Sequence, residues 1–351
     1  MARKPIGPLL VIAALAAMGY AGARAETYEV QPHVHCNFHL ARLKQPAADI
    51  LFVGNSRAGS AIDPVYVSER IERQIGRKLT IDRLSLPSTT PTPLNIVTRE
   101  YLRERGHPAY AVVQLAYNRY PDKQHLVDLP VHDLRSIAFG RMDDLADLQS
   151  GAVLNDAGAR LPRWLEKGYQ SLPAVAMTKV TTSIYAAMRY PIRAKAGGIP
   201  DCTGKPGLRQ LPFWQYGDLS DSGTYPDERP SGGDLAEWKK EIAGFVPVDP
   251  AAPERTFENH QLHRLIADLQ AGGARVFVTF YPTLSEPLPA ATVAKFRTEF
   301  PEAEFIDVVA PFRAAAGPDE SGKYRDGKHV NRPGALLVSR AMADRLAERL
   351  K

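Results

Sequence analysis

The sequence predicts an α/β protein: a doubly wound, mainly parallel sheet in three layers, interrupted by a large helical and loop-rich insertion. Three observations predict it. Apolar runs such as Ile50-Leu51-Phe52-Val53 are continuous, not alternating, as suits a parallel strand buried on both faces. Strand and helix patterns alternate three times between residues 48 and 118. The same alternation resumes near residue 259 and runs to the C-terminus.

The first strand is read in ADILFVGNS. A helix follows, with Asp63 as N-cap and Pro64 in its first turn; Val67, Ile71 and Ile75 share one face, and Gly76 stops it. LTIDRLSL is a second strand that ends at Pro87, PTPLNIVTREYLRERG a second helix with a Gly stop, and YAVVQLAYN a third strand. Residues 119–255 break the pattern. Helix-like LPRWLEKGYQ and TTSIYAAMRYP stand beside the loop-rich PDCTGKPGLRQLPFWQYGDLSDSGTYPDERPSGG. This insertion reads either as a passive packing segment or as a substrate-binding cap whose Trp214, Tyr216 and Tyr225 stack on sugar rings. Order returns at NHQLHRLIADLQAGG, with Leu262, Leu265, Ile266 and Leu269 on one side. ARVFVTFYP is a fourth strand and AEFIDVV a fifth. RPGALLVSRAMADRLAERL is a closing helix, with Leu336, Leu337, Ala341 and Leu346 expected to face inward.

The 351 residues, 44% of them hydrophobic, suffice for a substantial core. The formal charge of +5 is not a nucleic-acid signal. Arg3, Lys4 and Arg24 lie in the first 25 residues, which hold no acid; without these three cations the charge is +2, and no Lys/Arg block stands elsewhere. Residues 1–25 read as an export signal: a basic start, the apolar run PLLVIAALAAMGYA, and Ala23-Arg24-Ala25 for a peptidase. The alternative is an uncleaved anchor. Residues 26–351 then form one exported domain. Cys36 and Cys202 would meet an oxidising compartment, where a disulfide between them is possible but not fixed by sequence.

Two short strings carry chemistry. Gly54-Asn55-Ser56 puts a hydroxyl where the first strand ends. Near the C-terminus, YRDGKHVNRPGA places Asp326 and His329 three residues apart, just ahead of a helix. In a turn, that spacing lets the carboxylate fix the imidazole tautomer, and an imidazole is the natural base for an uncharged serine hydroxyl. A doubly wound sheet gathers its sites at the carboxyl ends of its strands, which would bring the two strings together. HVHCNFH offers His33, His35, Cys36 and His39 as metal ligands but fits no familiar ligand spacing, so no metal or cofactor is expected. His260 and His263 share a helix face with no acidic or thiol partner evident nearby, and read as an ordinary surface pair.

On Gly54-Asn55-Ser56, and on Asp326-Gly327-Lys328-His329 with the following Val330-Asn331 and Gly334-Ala335, the chain resembles the SGNH (GDSL-type) hydrolase superfamily. It is most similar to the exported, acyltransferase-like branch that accompanies membrane-bound O-acyltransferases. The resemblance covers the strands and the last helix, not the insertion, and implies a flavodoxin-like three-layer fold. It implies Ser56 as nucleophile, His329 as base and Asp326 as its partner. The family's second block usually supplies a Gly; Leu86-Pro87-Ser88-Thr89 stands there, with Ser88 at the Gly position. The third block is usually Gly-x-Asn-Asp; Ala116-Tyr117-Asn118-Arg119 keeps only the Asn. The implied oxyanion donors are the backbone N–H groups of Ser56 and Ser88 and the side chain of Asn118. Arg57, beside the nucleophile, is read as either an anionic-sugar contact or a solvated or ion-paired side chain. The implied activity is O-acyl transfer, chiefly acetyl, to an extracytoplasmic polysaccharide or cell-wall glycan in the periplasm. A carbohydrate esterase and a catalytically silent binding scaffold are the alternatives. The implied partners are a glycan acceptor and an acyl donor supplied through a membrane-bound O-acyltransferase, with no nucleic acid.

Overall fold

The structure is a computed structural model. It describes residues 37, 38, 40–86, 91–115, 235–237, 239, 240, 257–284 and 290–351. The expected leader (1–25), Cys36 and Cys202, the histidines of HVHCNFH and nearly all of the expected insertion (119–255) lie outside the described residues, as do Ser88, Asn118, Trp214, Tyr216 and Tyr225.

Five strands form one parallel sheet: β1 (Ile50–Asn55), β2 (Ile81–Leu86), β3 (Tyr110–Gln114), β4 (Arg275–Thr279) and β5 (Glu304–Ile306). Their order is β2-β1-β3-β4-β5, so the chain winds one way from β1 to β2 and the other way from β3 onward. The reversal falls between β1 and β3, where a doubly wound sheet leaves a crevice at its carboxyl edge. The predicted strands are these five; β3, β4 and β5 stop short of the C-terminal ends of the stretches read as strand, and β2 starts two residues later than read.

The helices are α1 (Ser56–Ala61), α2 (Pro64–Ile75), α3 (Pro91–Arg105), α4 (Phe257–Ala271), α5 (Ala290–Glu299), α6 (Val309–Ala316) and α7 (Arg332–Leu350), with a 3-10 turn at Gly317–Lys323 before α7. Asp63 caps α2 as the sequence suggests, its Oδ1 accepting the N–H groups of Val65 and Tyr66 at 3.0 and 3.1 Å. Pro64 sits in the first turn, and Gly76 closes the helix in the left-handed region at φ 71°.

One face of the sheet presents Ile50, Phe52, Val112, Phe277 and Ile306 to α1, α2, α6 and α7. Burying a Val, Leu, Ile or Phe side chain there stabilises the fold by about 1.5–3 kcal/mol each. By the two-residue period of a strand, Leu51, Val53, Ala111, Val113, Val276 and Val278 face the other side, where α3 and α4 pack. Leu262, Leu265, Ile266 and Leu269 are all buried, as the helical period requires.

Of the residues expected to face inward on α7, Ala341 and Leu346 are buried and Leu337 packs against the core, and only Leu336 needs correcting. Leu336 is exposed (36%) and Leu337 only partly buried; the buried stripe is Ala335, Val338, Ser339, Met342 and Leu346, with Ala341 and Ala343 beside it. The helix start sets this phase. Asn331 caps it, accepting the Gly334 N–H at 3.1 Å, and a Cβ on Gly334 would lie 2.1 Å from the Lys323 carbonyl. The small residues therefore take the close contact and the first leucine is turned outward. No helix among the described residues is long and apolar enough to cross a membrane.

Candidate active site

Gly54 is the last glycine before the turn at the end of β1, and space dictates it. A Cβ there would lie 2.6 Å from Ala58 Cβ, 2.6 Å from Gln114 Oε1 and 2.9 Å from Gln114 Cβ. Asn55 ends the strand and caps α1, its Oδ1 accepting the Arg57 N–H at 2.9 Å. Ser56 is thus the first residue of a short helix at the carboxyl end of β1, and only 9% of it is exposed.

The second string folds on itself. Tyr324 and Val330 form an antiparallel bridge, and the Arg325 N–H donates to the His329 carbonyl at 2.9 Å. Inside this hairpin Asp326 Oδ1 accepts the N–H groups of Lys328 and His329, each at 2.8 Å. The same carboxylate lies 2.8 and 2.9 Å from His329 Nδ1. An ionised carboxylate can only accept, so Nδ1 carries a proton, and in the neutral imidazole this places the lone pair on Nε2. That lone pair faces Ser56, with Nε2 2.8 Å from Oγ across 273 residues of chain. Serine, imidazole and carboxylate are therefore in hydrogen-bonded series, as the order of the two strings anticipates.

The electrostatics agree with an ionised Asp326. Burial alone would raise the Asp326 carboxyl. The hydrogen bond and charge of His329, with the N–H groups of Lys328 and His329, outweigh burial and hold it below the usual carboxylate range.

Several further residues, given no role of their own by the sequence reading, build the site. Gln114, at the end of β3, reaches across to β1: its Oε1 accepts the Asn55 and Ala58 N–H groups at 3.0 and 3.2 Å, and its Nε2 donates to Asn55 Oδ1 at 2.9 Å. Asn331 is buried behind the hairpin, its Nδ2 donating to the carbonyls of Gly322 and Tyr324 at 2.9 and 3.3 Å. Leu284, in the segment after β4, donates its N–H to the Gly327 carbonyl at 3.1 Å. Arg83 is buried in β2 and donates to the Gly59 and Ile62 carbonyls at the end of α1, at 3.1 and 2.5 Å. Ser339 in α7 donates to the Ala61 carbonyl at 3.0 Å and accepts the Asp63 N–H at 2.8 Å. The helix that starts beside His329 is thereby pinned to the helix that starts at Ser56.

Arg57 is half-buried and engaged, its backbone N–H taken by Asn55. The implied oxyanion contributors Ser88 and Asn118 lie outside the described residues. For His263 the structure corrects the sequence reading. It has an acidic partner, Glu302, with Nδ1 3.1 Å from Oε1, and its ring stacks on Phe300 at 4.2 Å. That partner is 39 residues downstream, brought in by β4 and α5, which no local pattern reveals.

The chain matches no protein-family model, and no curated protein matches it.

Proposed function

We propose that the chain is an exported SGNH-type O-acyltransferase that moves an acyl group, acetyl in the first instance, onto an extracytoplasmic polysaccharide or cell-wall glycan. The single observation that supports acyl chemistry is the series Ser56 Oγ, His329 Nε2 and Nδ1, Asp326 carboxylate, with contacts of 2.8 to 2.9 Å. The choice of a glycan acceptor rests on the family resemblance.

The reaction is a double displacement. His329 Nε2 takes the Ser56 proton as Oγ attacks the acyl carbonyl. The bond to the donor's leaving group breaks, and the proton passes from His329 to that group. A sugar hydroxyl then attacks the acyl-serine, giving its proton to His329, which returns it to Ser56 Oγ. Asp326 holds the imidazole in the productive tautomer and stabilises its cationic form. Backbone N–H groups of Ser56 and Ser88 and the Asn118 amide are the proposed oxyanion donors.

Purified protein incubated with p-nitrophenyl acetate tests the reading. Nitrophenol release that falls ~10⁴-fold or more in Ser56→Ala is expected. With a glycan present, release should accelerate and acetyl should appear on the sugar by mass spectrometry. Release to water alone would assign an esterase. No Ser56-dependent release would leave a binding scaffold and overturn the proposal.

A further inference from the structure

We propose that Gln114 is a positioning residue for Ser56: its side-chain amide grips the backbone on both sides of the nucleophile and fixes the direction in which Oγ points. This rests on the serine chemistry proposed above and adds to it a residue that touches none of the reacting groups.

The geometry carries the argument. Gln114 is 4% exposed, and a buried amide is costly unless its polar atoms are bonded. Those bonds all go to a single turn. Oε1 accepts from the residue before Ser56 and from the residue two after it, at 3.0 and 3.2 Å. Nε2 donates at 2.9 Å to Asn55 Oδ1, and that same oxygen accepts the Arg57 N–H at 2.9 Å. Two amides thus form a closed bracket around Ser56, with one end in β3 and the other in α1. Gly54 is the counterpart of the bracket, since any Cβ there would strike the Gln114 side chain. The register Val53↔Val113 explains how β3 delivers its last side chain to this turn. Anchoring a helix would need only its terminal N–H groups satisfied. Bonding Asn55 through both its backbone and its side chain also fixes the rotation of the turn, and that rotation sets where the Ser56 Oγ lies relative to His329 Nε2.

A fluorophosphonate probe reads this directly. Ser56 Oγ bonds to phosphorus, fluoride leaves, and the serine proton goes to His329 and then to solvent. The maximal labelling rate and the probe's binding constant are measured separately on the full chain. In Gln114→Leu, similar in size but without the three bonds, the maximal rate should fall about a hundredfold with the binding constant unchanged. Gln114→Glu restores both acceptor bonds but sets two acceptor oxygens face to face at Asn55. It should lose about tenfold, a partial rescue. Val112→Ala, a core change in the same strand, should lower the melting temperature yet keep the wild-type labelling rate per folded molecule. Wild-type rates in both Gln114 variants would overturn this inference and leave the proposed chemistry standing. Absence of wild-type labelling at Ser56 would instead overturn that chemistry, and this role with it. Should Gln114→Leu not fold, the Gln114→Glu rate alone decides between loss and no loss.

Discussion

The Asp326 carboxylate accepts three donors at once, two backbone N–H groups and the Nδ1–H of His329. The backbone pair shapes the hairpin and the third orients the base, so a neutral amide can replace only part of it. Asp326→Asn should retain the fold but lose about 10⁴-fold in acyl-ester turnover, because the amide no longer enforces the Nδ1–H tautomer; steady-state kinetics beside a circular dichroism spectrum checks this. The pH dependence follows in sign. A carboxyl held below its ordinary value of about 3.9 stabilises the native state fully above that value, and the contribution is lost as pH falls through the native one. The gap in melting temperature between wild type and Asp326→Asn should therefore be largest near neutrality and close as pH drops below about 4. A gap independent of pH would show that the carboxylate's charge contributes nothing to stability. At Gly54 the argument is steric. Gly54→Ala forces its methyl against Ala58 and Gln114, which should cost about 1–3 kcal/mol in urea denaturation and slow Ser56 acylation as well.

At the scale of elements, the hairpin of residues 324–330 and the start of α7 act as one piece. Asn331 joins them: its amide satisfies two carbonyls of the preceding turn while its oxygen caps α7. Asn331→Ala strips the cap and leaves buried carbonyls unpaired, so a loss of about 2–4 kcal/mol is expected in chemical denaturation. His329 should lose its hold on Ser56 along with it. This element also shows what can be read from a sequence. The meeting of Ser56, Asp326 and His329 was legible because Asp326 and His329 share one turn and Ser56 ends a strand at the carboxyl edge of the sheet. Strands β1, β3 and β4 were legible from nearly continuous apolar runs, whereas β2, which carries Asp82, Arg83 and Ser85, was read from its place between two helix patterns. Helix α1 was not: SRAGSA carries no apolar period, and its first turn is held by Gln114, 58 residues after Ser56. On α7 only Leu336 departs from the inward face that hydrophobicity suggests, where the close approach of Gly334 to the Lys323 carbonyl turns the first leucine outward. Gln114 and Ser339 are ordinary polar residues in sequence. Only the strand order and the α2–α7 packing give each its partner.

Across the described residues, the Ser56–His329–Asp326 series and a buried ion pair occupy opposite edges of the sheet. The series ending at Ser56 lies at the carboxyl ends of the strands. Near the start of β2, Asp82 Oδ2 is 2.7 Å from Arg105 Nη2 and accepts the Tyr101 hydroxyl at 2.8 Å, with the ion pair's side chains 7% and 4% exposed. The same guanidinium donates to the carbonyls of Leu40, Gln45 and Pro46 at 3.3, 3.3 and 2.8 Å and lies over the Tyr101 ring. Burial and the Asp82 charge both push the Tyr101 hydroxyl up, so it remains a donor at any ordinary pH. Residues 40–48 are in this way stitched to α3 and to the sheet, with Ala48 donating its N–H to Tyr101 at 2.8 Å. Arg105→Met keeps much of the side chain's bulk but leaves Asp82 charged and uncompensated in the interior, which should cost about 3–5 kcal/mol. Arg105→Met with Asp82→Leu removes both charges and should recover most of that loss, since a buried pair replaced by apolar groups is often neutral. Acylation of Ser56 per folded molecule should be the same in wild type, single and double variants, because Gln114, Ser339 and Asn331 hold the site without reference to that edge. Urea melts paired with fluorophosphonate labelling of the folded fraction measure both quantities. A labelling rate that tracked the loss of stability would mean that the two edges are one cooperative device, and that the sheet transmits the state of residues 40–48 to Ser56.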